Sequence, residues 1–169
     1  MKMLLGLPLL GLLILPIAVR AMDVDSEFDK TVNFNNYKSF RIVSGELNAK
    51  APALNNGLVK KNIENEIRAR LTSKHLTESK GPADLAVRYV LGASRRTDTK
   101  VIPAGRLGRR IRRVRTQQTD GTLTIDILAG DRDLIWRAIA VEDNKDPMKV
   151  AEKLDKMVQK AMDKYPPKN

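Results

Sequence analysis

The sequence predicts an α+β fold: a mainly antiparallel sheet, in the order strand, helix, three to four strands, helix, with two amphipathic helices packed on one face. Three observations carry this. Apolar residues recur at helical spacing in two separate stretches, near 56–75 and 147–164. Between them lie short runs that alternate apolar and polar residues, as half-buried strands do. Those runs are mostly separated by turn residues, so hairpins are expected. Hairpin-joined strands with helices on one side make a two-layer domain.

The first segment stands apart from the fold. Residues 1–21 read MKMLLGLPLLGLLILPIAVRA, with Lys2 ahead of an apolar stretch from Leu4 to Ala18 and Val19-Arg20-Ala21 after it. This is the layout of a secretory signal peptide. Arg20 ends the stretch short of the roughly 20 apolar residues a spanning helix needs, and Pro16 interrupts it. Cleavage after Ala21 is expected. Residues 22–169 then form a single domain, exported to the periplasm and soluble, with no transmembrane span.

Residues 23–30 (DVDSEFDK) read as an acidic, extended lead-in, and a first strand is expected near 37–43. The stretch SGELNAKAPALNNG is a loop by its Gly, Pro and Asn content. Asn55 or Asn56 caps the helix that follows. Its Val59, Ile63, Ile67 and Leu71 make one apolar stripe. Gly81-Pro82 closes this region, and ADLAVRYVLGA (83–93) reads as a strand. Thr119-Asp120-Gly121 reads as a turn. Leu123, Ile125 and Ile127 alternate in the clearest strand, 122–128. Ala129 to Arg132 turn the chain into a strand at 133–142, where Leu134, Trp136, Ala138 and Ala140 share a face. Asp146-Pro147 supplies an N-cap and a first-turn proline. The stripe Val150, Leu154, Met157 or Val158, and Ala161 then runs on until Pro166-Pro167.

Composition removes much chemistry. At 169 residues one domain is expected. The sequence has no Cys, which excludes disulfides, thiolate metal sites, a cysteine nucleophile and a lipidated N-terminal cysteine. A single histidine, His75, excludes multi-histidine metal sites within one chain. No glycine-rich phosphate loop is present. Neither a metal nor a cofactor is expected.

Several patches also look familiar together: EFDKTVNFNNYKSFRI, GPADLAVRYVLG, GTLTIDIL followed by DLIWRAIAVE, and a final helix closing in KYPP. The chain resembles the bacterial envelope family known as domain of unknown function 4136, over roughly residues 24–167. The resemblance implies a small α+β domain, exported and often lipid-anchored, with no established catalytic residues. Two features depart from it: there is no lipobox cysteine, and the segment 106–115 is more basic than the family pattern implies.

That segment is where the charge is. The precursor carries a formal +11, of which +9 belongs to residues 22–169. The window from Arg88 to Arg115 holds ten basic residues against Asp98 and accounts for all of that +9. A basic loop is expected at about 95–115. Within it GRLGRRIRRVR carries Arg106, Arg109, Arg110, Arg112, Arg113 and Arg115, six arginines in eleven positions. Guanidinium groups match phosphate and carboxylate geometry and stay charged, so a polyanion site is one reading. A solvated loop pairing with acids elsewhere is the other. Export and the lack of interleaved aromatics argue against nucleic acid, leaving an envelope protein or an anionic envelope lipid or polysaccharide as partner.

The remaining candidates are weaker. Asp120, Asp126, Asp131 and Asp133 could serve a carboxylate-dependent hydrolase, but their spacing lacks the ligand series of a calcium loop. Turn and strand-surface roles fit them better, with Asp126 pairing across strands to Arg137. His75 at a helix end and Trp136 on an inner strand read as structural. The functional expectation is a non-enzymatic accessory or binding module of the cell envelope.

Overall fold

The structure is a computed structural model that describes residues 22–104, 110–144 and 146–167, with side chains described outside 93–120. Six strands form one sheet in the order β1-β6-β5-β4-β2-β3. They are β1 (Asp23–Phe28), β2 (Ser39–Ala49), β3 (Thr77–Glu78), β4 (Leu85–Ala104), β5 (Arg110–Ala129) and β6 (Asp133–Asn144). Three helices, α1 (Gly57–Ser73), α2 (Pro147–Ala151) and α3 (Leu154–Met162), and a 3-10 turn at Phe34–Asn36 complete the described fold.

The sheet is mixed, which corrects the expectation of a mainly antiparallel one with three to four strands. β1–β6, β6–β5 and β5–β4 are antiparallel, but β2 runs parallel to both β4 and β3. The cause is α1. A strand followed by a long helix and then a neighbouring strand is a crossover, and a crossover returns the chain in the same direction. The lead-in at 23–30 is likewise not free: Asp23–Phe28 is an edge strand paired in register with Val141 to Trp136.

Local chemistry sets the helix ends. The Asn56 side chain accepts from the Leu58 and Val59 N–H groups, both at 3.0 Å. At the other end Leu76 N–H bonds Leu71 O and His75 N–H bonds Thr72 O, with His75 at φ +66°. This is a Schellman closure in which a histidine takes the position glycine usually holds. Asp146 caps α2 through Met148 N–H, with Pro147 in the first turn. The last helix is not continuous as expected: the chain turns at Glu152-Lys153 between α2 and α3.

The core lies between the sheet and the helices. Val59, Ile63, Ile67 and Leu71 on α1 are all buried, as are Leu154, Met157, Val158 and Ala161 on α3. They meet Val87, Tyr89 and Leu91 from β4, Leu123, Ile125 and Ile127 from β5, and Trp136, Ala138 and Ala140 from β6. Each fully buried aliphatic side chain contributes about 1.5–3 kcal/mol. One expected core residue is displaced. Ile127 pairs with Trp136 but Leu128 with Leu134, so Ile135 is an extra residue in a bulge. The bulge buries Ile135 and leaves Leu134 45% exposed, outside the face it was expected to share with Trp136.

Candidate functional site

β4 and β5 are twenty residues each and pair continuously from Leu85↔Ala129 to Ala104↔Arg110. Their neighbours stop earlier. β2 last pairs at Ala93 and β6 last pairs at Thr119, the residue opposite Arg95. From Arg96↔Gln118 to Ala104↔Arg110 the two strands therefore continue as a two-stranded ribbon of nine pairs. At about 3.3 Å per residue its length is roughly 30 Å. Most of the stretch expected as a loop is thus paired strand, and Thr119-Asp120-Gly121, expected as a turn, lies inside β5. Asp-Gly marks a turn only when the chain reverses there; here both strands run on.

The ribbon carries the basic segment. Arg110, Arg112, Arg113 and Arg115 stand opposite Ala104, Ile102, Val101 and Thr99 on β4, while Arg96 and Lys100 belong to β4 itself. Arg106 and Arg109 lie outside the described residues. Sequence reasoning located the charge; it did not foresee that a hairpin would carry it beyond the sheet.

At the body of the sheet the charged residues pair. The register Glu27↔Arg137↔Asp126↔Arg88 places one charged residue on each of four adjacent strands. Arg137 holds both Asp126 oxygens, at 2.7 and 2.8 Å. That bonding raises the Arg137 pKa above its ordinary value against the effect of burial, and the Asp126 and Glu27 charges add to it. Arg88 donates to Asp131 O at 3.0 Å, and Arg41 bridges the Asp131 carboxylate. So Asp126 and Asp131, two of the four candidate carboxylates, are each engaged by an arginine. Asp133 is exposed at the start of β6, and the Asp120 side chain lies outside the described set. Among the described residues no group of three His, Asp or Glu is placed to hold a metal ion.

Trp136 is fully buried and packs edge-to-face on Tyr165 at 5.5 Å, which meets Phe34 at 5.7 Å in the same way. Its Nε1 makes no hydrogen bond among the described residues. His75 is exposed, beside a cavity at the end of α1. One pair escaped the sequence entirely: Glu142, only 5% exposed on β6, is held by Lys153 at the α2–α3 junction. Nothing local in the sequence links two residues eleven apart across a strand end and a helix break.

A mixed six-stranded sheet with helices on one face, extended by a basic ribbon, defines a two-layer α+β domain. Within that class the match is definite: residues 24–167 fit the model of a domain of unknown function, DUF4136, and the chain belongs to that family. The chain is also similar to a PDZ domain protein from Parabacteroides distasonis, at 16% identity and TM-score 0.58. That alignment covers 86% of this chain and 36% of the other, so the chain spans about a third of that protein's length. Weaker likenesses are to a PelC dodecamer from Paraburkholderia phytofirmans (12% identity, 84% of this chain and 97% of that one, TM-score 0.47) and to a neuraminyllactose-binding haemagglutinin homologue from Helicobacter pylori (12%, 78% and 84%, TM-score 0.47). No curated protein sequence matches. Among the described residues no helix is long and apolar enough to cross a membrane.

Proposed function

We propose that the protein is an exported, non-enzymatic binding module of the cell envelope, and that its basic ribbon takes an anionic envelope lipid or polysaccharide. The observation that carries this is the placement of the arginines. Residues 22–169 put their whole +9 in one window and balance elsewhere, and most of that window lies on a ribbon beyond the last pairs of the flanking strands. In the sheet body Arg137 pairs with Asp126 and Arg41 with Asp131, and outside the window the charges of residues 22–169 balance, so the ribbon is where charge is in excess. Export is supported by the signal-like segment 1–21.

Co-sedimentation with vesicles tests the reading. Binding is expected to vesicles containing an anionic phospholipid and not to purely zwitterionic ones. If six charges are neutralised, log affinity falls against log salt with a slope of about −5, so binding drops steeply between about 50 and 200 mM salt. A variant with Arg109, Arg110, Arg112 and Arg113 changed to Gln should lose most of it. Salt-insensitive or absent binding, to vesicles and to an anionic polysaccharide alike, sinks the proposal.

A further inference from the structure

At the opposite end of the sheet from the ribbon, where β2 and β4 begin at Phe40↔Leu85, the fold forms a half-open pocket of about 220 Å³. Four pieces of chain meet there: the 3-10 turn, the residues entering β2, the closure of α1 and the segment after α3. Phe34, Tyr37 and Tyr165 supply an aromatic wall, and Lys38 and Lys74 a cationic rim with His75 beside them. No Asp or Glu is among the lining residues. We propose that this cavity binds a small organic anion with an oxyanion head on one planar ring.

The parts fit that chemistry one by one. Tyr165 is 2% exposed and fixed edge-to-face between Phe34 and Trp136, so the wall is rigid. The last turn of α1 would oppose an anion through its exposed carbonyls. Those of Leu71 and Thr72 are taken up by the Leu76, Lys74 and His75 N–H groups. Three of the lining residues, Lys38, Lys74 and His75, carry side chains that donate: two ammonium groups, and an imidazole that has at least one N–H in either protonation state. His75 is held at φ +66°, a conformation uncommon for a residue other than glycine. Asp84, just ahead of β4, turns one carboxylate oxygen to the chain entering β2, where it accepts from the Lys38 and Ser39 N–H groups and the Ser39 hydroxyl. The volume is below the roughly 300–1,000 Å³ of ordinary ligand pockets, which restricts the ligand to about one ring.

His75 is the chain's single histidine, so its imidazole resonances report on this cavity without assignment ambiguity. The protein is titrated with phenyl phosphate, with benzoate in a second arm to separate phosphate from carboxylate heads, and with anilinium as the opposite-charge control. A saturable shift of the His75 signals is expected with at least one anion and not with anilinium. A Lys38→Gln, Lys74→Gln variant, both changes at the cavity rim, should weaken it about tenfold or more, since charge-assisted bonds are lost. The ribbon Arg→Gln variant should leave it unchanged, which separates this site from the proposed ribbon function. A shift that never saturates, survives the lysine changes in a folded variant, or disappears in the ribbon variant overturns the proposal.

Discussion

A Cβ built on Gly121 would lie 2.4 Å from Val150 Cγ1, so the strand and α2 touch there through the absence of a side chain. Gly121→Ala is expected to destabilise by about 1–3 kcal/mol, the usual cost of overpacking. Adding Val150→Ala should recover part of the loss. In denaturant melts the double variant should be less destabilised than the two singles combined, because residues in contact are not additive; strict additivity would show that the contact is not the cause. The same corner holds the Glu142–Lys153 pair. Lys153→Ala strands a nearly buried carboxylate and should cost about 1–3 kcal/mol. Replacing both residues by apolar ones of similar size should cost less than that single change. Neither feature was legible in advance. The sequence Thr119-Asp120-Gly121 has turn chemistry, and only the tertiary packing of Val150 makes its glycine a contact residue. By contrast the cap at Asn55 or Asn56, Asp146-Pro147 and the Asp126–Arg137 pair were readable, since caps and cross-strand pairs depend on near neighbours, and the structure makes Asn56 the cap.

Between elements, the parallel joint of β2 and β4 was the main departure from expectation. The strand, helix, strand order was visible, and so was the α1 stripe, but hairpin signals further along suggested antiparallel pairing throughout. A connection the length of α1 decides direction where turn residues cannot. Asp84 fastens this joint: one carboxylate oxygen accepts from Lys38 N–H, Ser39 N–H and the Ser39 hydroxyl, all at 2.9 Å. Ser39 Oγ accepts in return from Asp84 N–H at 3.0 Å. The Lys38 backbone bond, followed by the two from Ser39, lowers the Asp84 pKa below its usual 3.8. A carboxyl with a depressed folded-state pKa stabilises fully above its ordinary value and loses that contribution as pH falls through the depressed one. Asp84→Ala should therefore lower the melting temperature at neutral pH. The gap to the parent protein should narrow below about pH 3.8, where the parent's own carboxyl becomes protonated. A gap that is constant over pH 2–7 would mean that the hydrogen bonds of the charged form are not what the residue contributes.

For the molecule as a whole, stability and the proposed ribbon function belong to different parts of one hairpin. The buried cluster draws on β4 and β5 only as far as Leu91 and Leu123 among residues with described side chains, and the flanking strands end within a few residues of that line. Beyond Arg96↔Gln118 each ribbon strand has one pairing partner. Two-stranded ribbons alone are marginal in water, so the ribbon draws its order from the sheet and returns little stability to it. Replacing residues 97–117 by Asn-Gly, a pair suited to a two-residue hairpin turn, should leave the body folded. The melting temperature is expected to move by only a few degrees, within the roughly 2–8 °C that 1 kcal/mol produces in domains of about this size. The net charge of residues 22–169 falls from +9 to +3, and salt-dependent binding to anionic vesicles should vanish while the His75 response to phenyl phosphate persists. If the shortened protein instead unfolds, or melts far below the parent, the ribbon is part of the fold's own support. The arginine-rich stretch would then have to be read first as a structural element.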